Sequence, residues 1–153
     1  MAYSKQIANL IISYLEKEDF HYDYDKDTGV IRTNVSISGK LQKLRYVFTV
    51  YESDFDTYAI INLNADEEQR PAVAEFLTRA NYGLKLGNFE MDYRDGEVRY
   101  KCAVDCDECM PSEKVVQNTI YIPYNMFKRY GDGLLAVMFG LKSAADSIKE
   151  IEG

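Results

Sequence analysis

The spacing of hydrophobic residues changes several times along the chain, and each change marks a new structural element. After Ser4, a residue that can cap a helix, apolar residues recur at helical spacing: Ile7, Leu10, Ile11, Tyr14 and Leu15. From residue 20 onward the pattern alternates with period two, which is typical of strands, and turn residues divide it into segments. This alternation predicts strands over residues 20–25, 31–37, 44–51 and 58–63. The apolar run Ala59-Ile60-Ile61 indicates that the fourth strand is buried on both sides or central in the sheet.

Residues 70–105 combine a second helix with a hairpin. One helical stripe is formed by Val73, Phe76, Leu77 and Ala80. Gly83 can adopt the left-handed conformation that ends such a helix. Alternation then resumes on both sides of Arg94-Asp95-Gly96-Glu97, which predicts two further strands joined by a turn.

The last third of the chain is predicted to be helical. A third helix begins near Ser112, and we expect Pro123 to kink it and Gly131-Asp132-Gly133 to interrupt it. Ser143 can cap a short last helix over residues 144–151. The predicted order is α-β-β-β-β-α-β-β-α(α), which indicates an α+β domain with an antiparallel sheet and helices packed on one face.

Composition agrees with a single globular domain over residues 1–153. Hydrophobic residues make up 46 % of the chain and charged residues 28 %, which suits a packed core and a solvated surface. The net charge of −7 disfavours a phosphate backbone, so nucleic acid is not an expected partner. The first twenty residues lack the pattern of a secretory signal, and no segment has membrane-spanning length. We therefore expect a cytoplasmic protein that does not associate with a membrane.

The three cysteines form the only arrangement with a metal-like spacing, Cys102-x3-Cys106-x2-Cys109. A zinc site here would lack a fourth ligand, because the single histidine, His21, lies on a distant predicted strand. Acidic neighbours should also disfavour the thiolate of Cys106 and Cys109. We therefore expect Cys102 to pack in the core and the other two to be loop thiols, with metal or redox use as the alternative.

Other candidate chemistry is incomplete. The segment Asp23-x-Asp25-x-Asp27-Thr28-Gly29 resembles a calcium loop but lacks the glycine at its sixth position and the glutamate at its twelfth. It is better interpreted as a strand edge that runs into a turn. No nucleophile elbow, activated cysteine or glycine-rich phosphate loop is present, so we expect no enzyme activity, no catalytic residues and no cofactor.

The chain contains 13 tyrosines and no tryptophan. Tyrosine is favoured where one end of the side chain is buried and the other is wet, as at protein interfaces. Outward-facing strand residues such as Val47 and Tyr51 are therefore candidates for a partner-binding surface.

Several motifs carry a family resemblance. They are Arg70-Pro71 at the start of the second helix, Asn81 near its end, Leu84-x-Leu86-Gly87-x-Phe89 before the hairpin, Asp92-x-x-Asp95-Gly96-Glu97-Val98 around its turn, and the tail over residues 139–152. Together with the order of elements, these motifs resemble the YbjN family of bacterial proteins. The segment DCDECMPS, residues 105–112, is not part of that pattern.

The resemblance implies a fold like that of type III secretion chaperones, which are small, acidic and often dimeric. Such proteins hold a segment of a partner protein against a helix-backed sheet. Family members are described as sensory-transduction or stress-response regulators, and no catalytic residues come with the family. The expected function is a non-enzymatic, homodimeric protein-binding domain, and a small-molecule sensor with a pocket between sheet and helices is a further alternative.

Overall fold

The computed structural model describes residues 2–153, which form four α-helices and one six-stranded sheet. The helices are α1 (Lys5–Lys17), α2 (Arg70–Asn81), α3 (Glu113–Met138) and α4 (Ala144–Glu152), and a 3-10 turn (Glu67–Gln69) precedes α2. The strands are β1 (Tyr22–Asp25), β2 (Val30–Ser36), β3 (Lys43–Val50), β4 (Asp54–Asn64), β5 (Asn88–Met91) and β6 (Glu97–Asp105). No helix in residues 2–153 combines the length and the apolar character that a membrane crossing requires.

The strands are arranged in the order β1-β2-β3-β4-β6-β5, and every neighbouring pair is antiparallel. The predicted central position of the fourth strand is therefore confirmed. However, β4 begins at Asp54, four residues before the start of the strand predicted over residues 58–63. Phe55 and Thr57 point into the core while Asp56 points outward, so the strand alternation already starts at the polar residues.

The hydrophobic core lies between one face of the sheet and the helices, as predicted. Across β3, β4, β6 and β5, the register aligns Tyr46, Ala59, Tyr100 and Phe89, and all four are buried. Helices α1, α2 and α3 bury their apolar stripes in the same core cluster. Each fully buried large apolar side chain contributes about 1.5–3 kcal/mol, so a few per helix are sufficient to hold it against the sheet.

Aromatic contacts attach the β5–β6 hairpin to α3. The ring of Phe89 meets those of Tyr100, Phe127 and Tyr130 edge-on, with centroid distances of 4.8, 5.3 and 5.8 Å. Such geometry is the favoured one for aromatic pairs. The position of the hairpin is therefore fixed by a specific cluster as well as by strand pairing.

The expected interruption of the third helix is wrong, because α3 runs without a break from Glu113 to Met138. Proline disturbs the backbone hydrogen bonds of the preceding turn. In that turn the fully buried Tyr46 hydroxyl donates a hydrogen bond of 2.7 Å to the Ile120 carbonyl. This contact joins β3 to α3 one residue after Thr119, whose carbonyl is the one that Pro123 leaves without a backbone donor.

The two glycines of α3 are sites of close packing and do not end the helix. A Cβ atom at Gly131 would lie 2.6 Å from Leu41 Cδ1, and one at Gly133 would lie 2.7 Å from Ser147 Oγ. The Ser147 hydroxyl also donates to the Gly133 carbonyl at 3.0 Å. Glycine disfavours a helix by roughly 1 kcal/mol, and at these two positions it leaves room for the close approach of Leu41 and Ser147.

Candidate functional site

The face of the sheet opposite the helices is not covered by any other element of residues 2–153. On the strands, its side chains alternate with those that point into the core. We call it the outer face, formed by Asp23, Arg32, Asn34, Arg45, Val47, Tyr58, Ile60, Glu90, Arg99 and Lys101.

An apolar centre occupies the middle of the outer face. Val47 pairs with Tyr58 across β3 and β4, and Ile60 lies two residues further along β4. Ile60 is only 6 % exposed although it does not belong to the core cluster between sheet and helices. The register places Arg45 and Arg99 on either side of it, so their aliphatic stems cover this isoleucine.

Charged side chains on β5 and β6 hold this centre in place. The Arg99 guanidinium lies 4.0 Å from the centroid of the Tyr58 ring, and its Nε donates to Glu90 at 2.5 Å. The Lys101 ammonium lies 3.6 Å from the Asp56 carboxylate, which also accepts a hydrogen bond of 2.9 Å from the Tyr58 hydroxyl. Burial, followed by this hydrogen bond, raises the pKa of Tyr58 above its ordinary value, so its hydroxyl stays protonated.

The other half of the outer face contains a groove with two arginines that form no ion pair within 4.0 Å in the described part of the chain, although Asp23 lies opposite Arg32 in the strand register. The groove has a volume of about 350 Å³ and includes His21, Asp23, Asn34 and Val47 in its lining, together with Arg32 and Arg45. Among residues 2–153, no carboxylate lies within 4.0 Å of either guanidinium. Arg45 donates only to the Asn62 side chain, at 3.1 Å.

Guanidinium groups bind carboxylates through two parallel hydrogen bonds. Both arginines are exposed, so the groove can receive acidic groups beside the apolar side chain of Val47.

Of the two residues predicted for a partner surface, only Val47 lies in the apolar centre. Tyr51 follows the end of β3, where its backbone N–H donates to Asp54 and its carbonyl accepts from Ser4, both at 2.9 Å. The sequence analysis did not identify Tyr58 and Ile60. Both lie in the strand predicted over residues 58–63, but the apolar run Ala59-Ile60-Ile61 hid the alternation that places them on the outer face with Asp56.

The three cysteines differ in burial, and Cys106 and Cys109 lie in one turn in which the Cys109 N–H donates to the Cys106 carbonyl at 3.4 Å. Cys102 is buried on β6 and faces the helices, where burial raises the pKa of its thiol to about 12. Cys106 is a loop residue as expected but is also buried, and its thiol lies 3.7 Å from the Val104 carbonyl. Burial, followed by the charges of nearby aspartates, raises its pKa as well. Cys109 is the exposed member of the three.

No metal-binding group emerges from these residues. Within residues 2–153, no three His, Cys, Asp or Glu side chains are placed so that they could hold a metal ion. The calcium-like segment forms β1 and a turn in which the Asp25 carboxylate accepts a hydrogen bond of 2.9 Å from the Asp27 N–H. Its aspartates therefore serve the local turn, as the interpretation from sequence predicted.

Comparison with known proteins identifies the family. A family model described as "YbjN: Putative bacterial sensory transduction regulator" matches residues 8–135. No curated protein matches the chain significantly. The matched span runs from within α1 to within α3 and contains every strand of the sheet, so this chain belongs to the YbjN family.

Proposed function

We propose that this chain is a non-enzymatic regulator that binds an acidic segment of another protein on the outer face of its sheet. The observation that carries the proposal is an uncovered apolar centre bordered by two exposed arginines that form no ion pair within 4.0 Å among residues 2–153. The family's description as a regulator supports the same class of function.

The geometry suggests a division of roles across the outer face. Arg99 and Lys101 are engaged with Glu90 and Asp56, so they shape the surface and have little remaining capacity for a ligand. Arg32 and Arg45 keep their hydrogen-bonding capacity and would bind carboxylates of the partner. Apolar side chains of the same segment would pack on Val47 and displace weakly bound water.

Charge explains why an acidic partner is favoured although the whole chain is acidic. Unpaired guanidinium groups attract carboxylates at long range and repel a basic segment in the same place. Because both arginines are exposed, this attraction should weaken as salt is added.

We propose further that the protein acts in the cytoplasm as a homodimer with a chaperone-like role, as the likeness to type III secretion chaperones implies. Sedimentation equilibrium tests the dimer directly. A single species with the monomer mass at micromolar and higher concentrations would contradict it.

A labelled peptide tests the outer face. The probe is a fluorescein-labelled nonapeptide of alternating glutamate and leucine, and binding is measured by fluorescence anisotropy. We expect Arg32→Ala and Arg45→Ala each to weaken binding about tenfold, since a hydrogen bond to a charged group contributes about 1.5–3 kcal/mol. Arg129→Ala is the matched control, because Arg129 is an exposed arginine on α3 whose guanidinium stacks on Tyr130.

The proposal is wrong if the control variant weakens binding as much as the two outer-face variants. It is also wrong if the lysine–leucine analogue of the peptide binds equally well at the outer face.

A further inference from the structure

The outer edge of β5 is closed by a side chain of α2. The Asn81 amide donates a hydrogen bond of 2.8 Å to the Phe89 carbonyl and accepts one of 2.7 Å from the Phe89 N–H. It therefore takes the place that the peptide group of a next strand would occupy. An edge that is protected in this way cannot recruit another strand at Phe89.

The neighbouring strand β6 extends beyond this protected region. Pairing with β5 stops at Lys101, so residues 102–105 of β6 have β4 on one side and no strand on the other. Because the backbone groups of Phe89 point away from β6, those of Lys101 point toward β5. Strand alternation then directs the N–H and C=O groups of Ala103 and Asp105 toward the open side, and both residues are exposed.

The hydrogen bonds at the end of β6 agree with this assignment. The Cys106 N–H donates to the Ser53 carbonyl at 2.8 Å, on the side of β4. At this end of β6, the backbone N–H and C=O groups of the even-numbered residues therefore point toward β4. Ala103 and Asp105 alternate with them and leave unpaired backbone donors and acceptors at the open edge.

An apolar groove lies beside this open edge. It has a volume of about 330 Å³ between β6 and α3, and Leu86, Val104, Val115 and Ile122 are among its lining residues. In an antiparallel pair, side chains of directly opposite residues point to the same face of the sheet. A residue opposite Val104 would therefore place its side chain in the groove.

Charge at the end of β6 selects the kind of strand that fits. Asp105, Asp107 and Glu108 are all exposed at this end. A second copy of this chain that paired through the same edge would bring two sets of these acids together, which is unfavourable. A guest strand with Lys or Arg opposite Asp105 would instead form an opposite-charge pair.

We propose that residues 103–105 of β6 receive an extended segment of another protein as an added antiparallel strand. The guest carries an apolar residue for the groove, and a basic residue precedes it in the guest sequence. Backbone hydrogen bonds to Ala103 and Asp105 supply affinity. The groove and the acidic rim, formed by Asp105, Asp107 and Glu108, supply selectivity. This site uses β6 and α3 and does not depend on the function proposed for the outer face.

The test uses a capped heptapeptide of alternating lysine and valine. Its control has the same charge but carries N-methyl groups on the alternate amides that would donate to β6. We expect the unmodified peptide to slow hydrogen exchange at the Ala103 and Asp105 amides, and the methylated one to leave it unchanged. A glutamate–valine analogue should bind at least tenfold more weakly because the rim is acidic.

Protein variants separate the backbone edge from the groove. Ala103→Pro removes one donor on the open side and none toward β4, so we expect about tenfold weaker binding with the sheet retained. Leu86→Ser tests the groove, with Leu141→Ser as its matched control, since these leucines are 60 % and 75 % exposed and only Leu86 lines the groove. The Leu86 variant should bind several-fold more weakly, and the control should bind normally.

Three results would overturn this inference. The methylated peptide could bind as tightly as the unmodified one, or the protected amides could lie on β2 and β3 instead of β6. If the protein is a dimer and Ala103→Pro dissociates it, the open edge of β6 binds a second copy of this chain. The β6 site can be tested separately from the function proposed for the outer face. Arg32→Ala and Arg45→Ala should leave binding of the lysine–valine peptide unchanged.

Discussion

Replacing Asn81 by alanine should reopen the edge of β5 and destabilise the fold. Asn81 is half-buried near the end of α2, and its amide makes both hydrogen bonds to the backbone of Phe89. Phe89 itself is 2 % exposed and belongs to the aromatic cluster that attaches the hairpin to α3. The variant therefore removes polar partners next to a tightly packed side chain.

In Asn81→Ala, the N–H and the C=O of Phe89 do not lose the same number of hydrogen-bond partners. Its carbonyl also accepts a hydrogen bond of 3.2 Å from the Asn88 side chain, so this acceptor keeps a partner in Asn81→Ala. The Phe89 N–H has only Asn81 and loses its partner completely. A buried donor left without a partner costs about 1–3 kcal/mol, which sets the expected loss for Asn81→Ala.

Asn81→Asp distinguishes the two hydrogen bonds. Its carboxylate can still accept from the Phe89 N–H, but its second oxygen takes the place of the amide NH2, 2.8 Å from the Phe89 carbonyl oxygen, so two acceptors face each other. We therefore expect Asn81→Asp to gain stability relative to Asn81→Ala as the pH is lowered, because the protonated carboxyl group can donate to that carbonyl. The matched control is Asn88→Ala, which removes one longer hydrogen bond of an exposed side chain and should cost less than about 1 kcal/mol.

Urea unfolding followed by circular dichroism measures these differences as free energies of unfolding. Thermal unfolding gives a second measurement, since each kcal/mol corresponds to about 2–4 °C in a chain of this size. The reasoning is refuted if Asn81→Ala loses no more stability than Asn88→Ala. It is also refuted if the stability of Asn81→Asp relative to Asn81→Ala does not rise as the pH is lowered.

Further predictions concern α3 and the buried tyrosines. Tyr46→Phe should lower the free energy of unfolding measured in urea by about 1 kcal/mol, because the hydrogen bond from its buried hydroxyl to the Ile120 carbonyl is lost; an unchanged value would contradict this role. Gly133→Ala should destabilise the protein despite the better helix propensity of alanine, since the added Cβ would lie 2.7 Å from Ser147 Oγ; a higher melting temperature would refute the packing argument. Burial, followed by a hydrogen bond from its hydroxyl to the C-terminal helix, raises the pKa of Tyr130 to about 12. The folded state then keeps a proton that the unfolded state releases, so stability should fall between about pH 10 and 12, and less steeply in Tyr130→Phe.

Local patterns were sufficient to predict most of the fold. The Ser4 cap was predictable because a hydroxyl before an apolar helical stripe satisfies a free backbone N–H, and its oxygen accepts from Ile7 at 3.2 Å. Strand alternation identified all six strands and the one-sided core. The continuity of α3 was not predictable, because Pro123, Gly131 and Gly133 locally favour a break, whereas the residues that pack against this part of the helix, Leu41 and Ser147, lie in other elements.

The functional surfaces were less accessible from the sequence. Val47 could be assigned to an outward face by alternation alone. Grouping it with Tyr58, Arg32 and Arg45 requires the register of three strands, which the sequence does not reveal. The open edge of β6 depends on the difference in length between two paired strands, and strand ends are set by contacts such as that of Asn81.

The position of β6 between β4 and β5 has a consequence for how the chain folds. β5 precedes β6 in sequence, so these two strands can pair locally as a hairpin before β6 meets β4. Strands β1 to β4 likewise form consecutive hairpins. The sheet is thus assembled from two halves with short-range pairing, and a single long-range seam between β4 and β6 joins them. When this seam forms, β4, which begins at Asp54, pairs with β6, which ends at Asp105. The entropy lost in closing the chain between these two strands should set the folding rate.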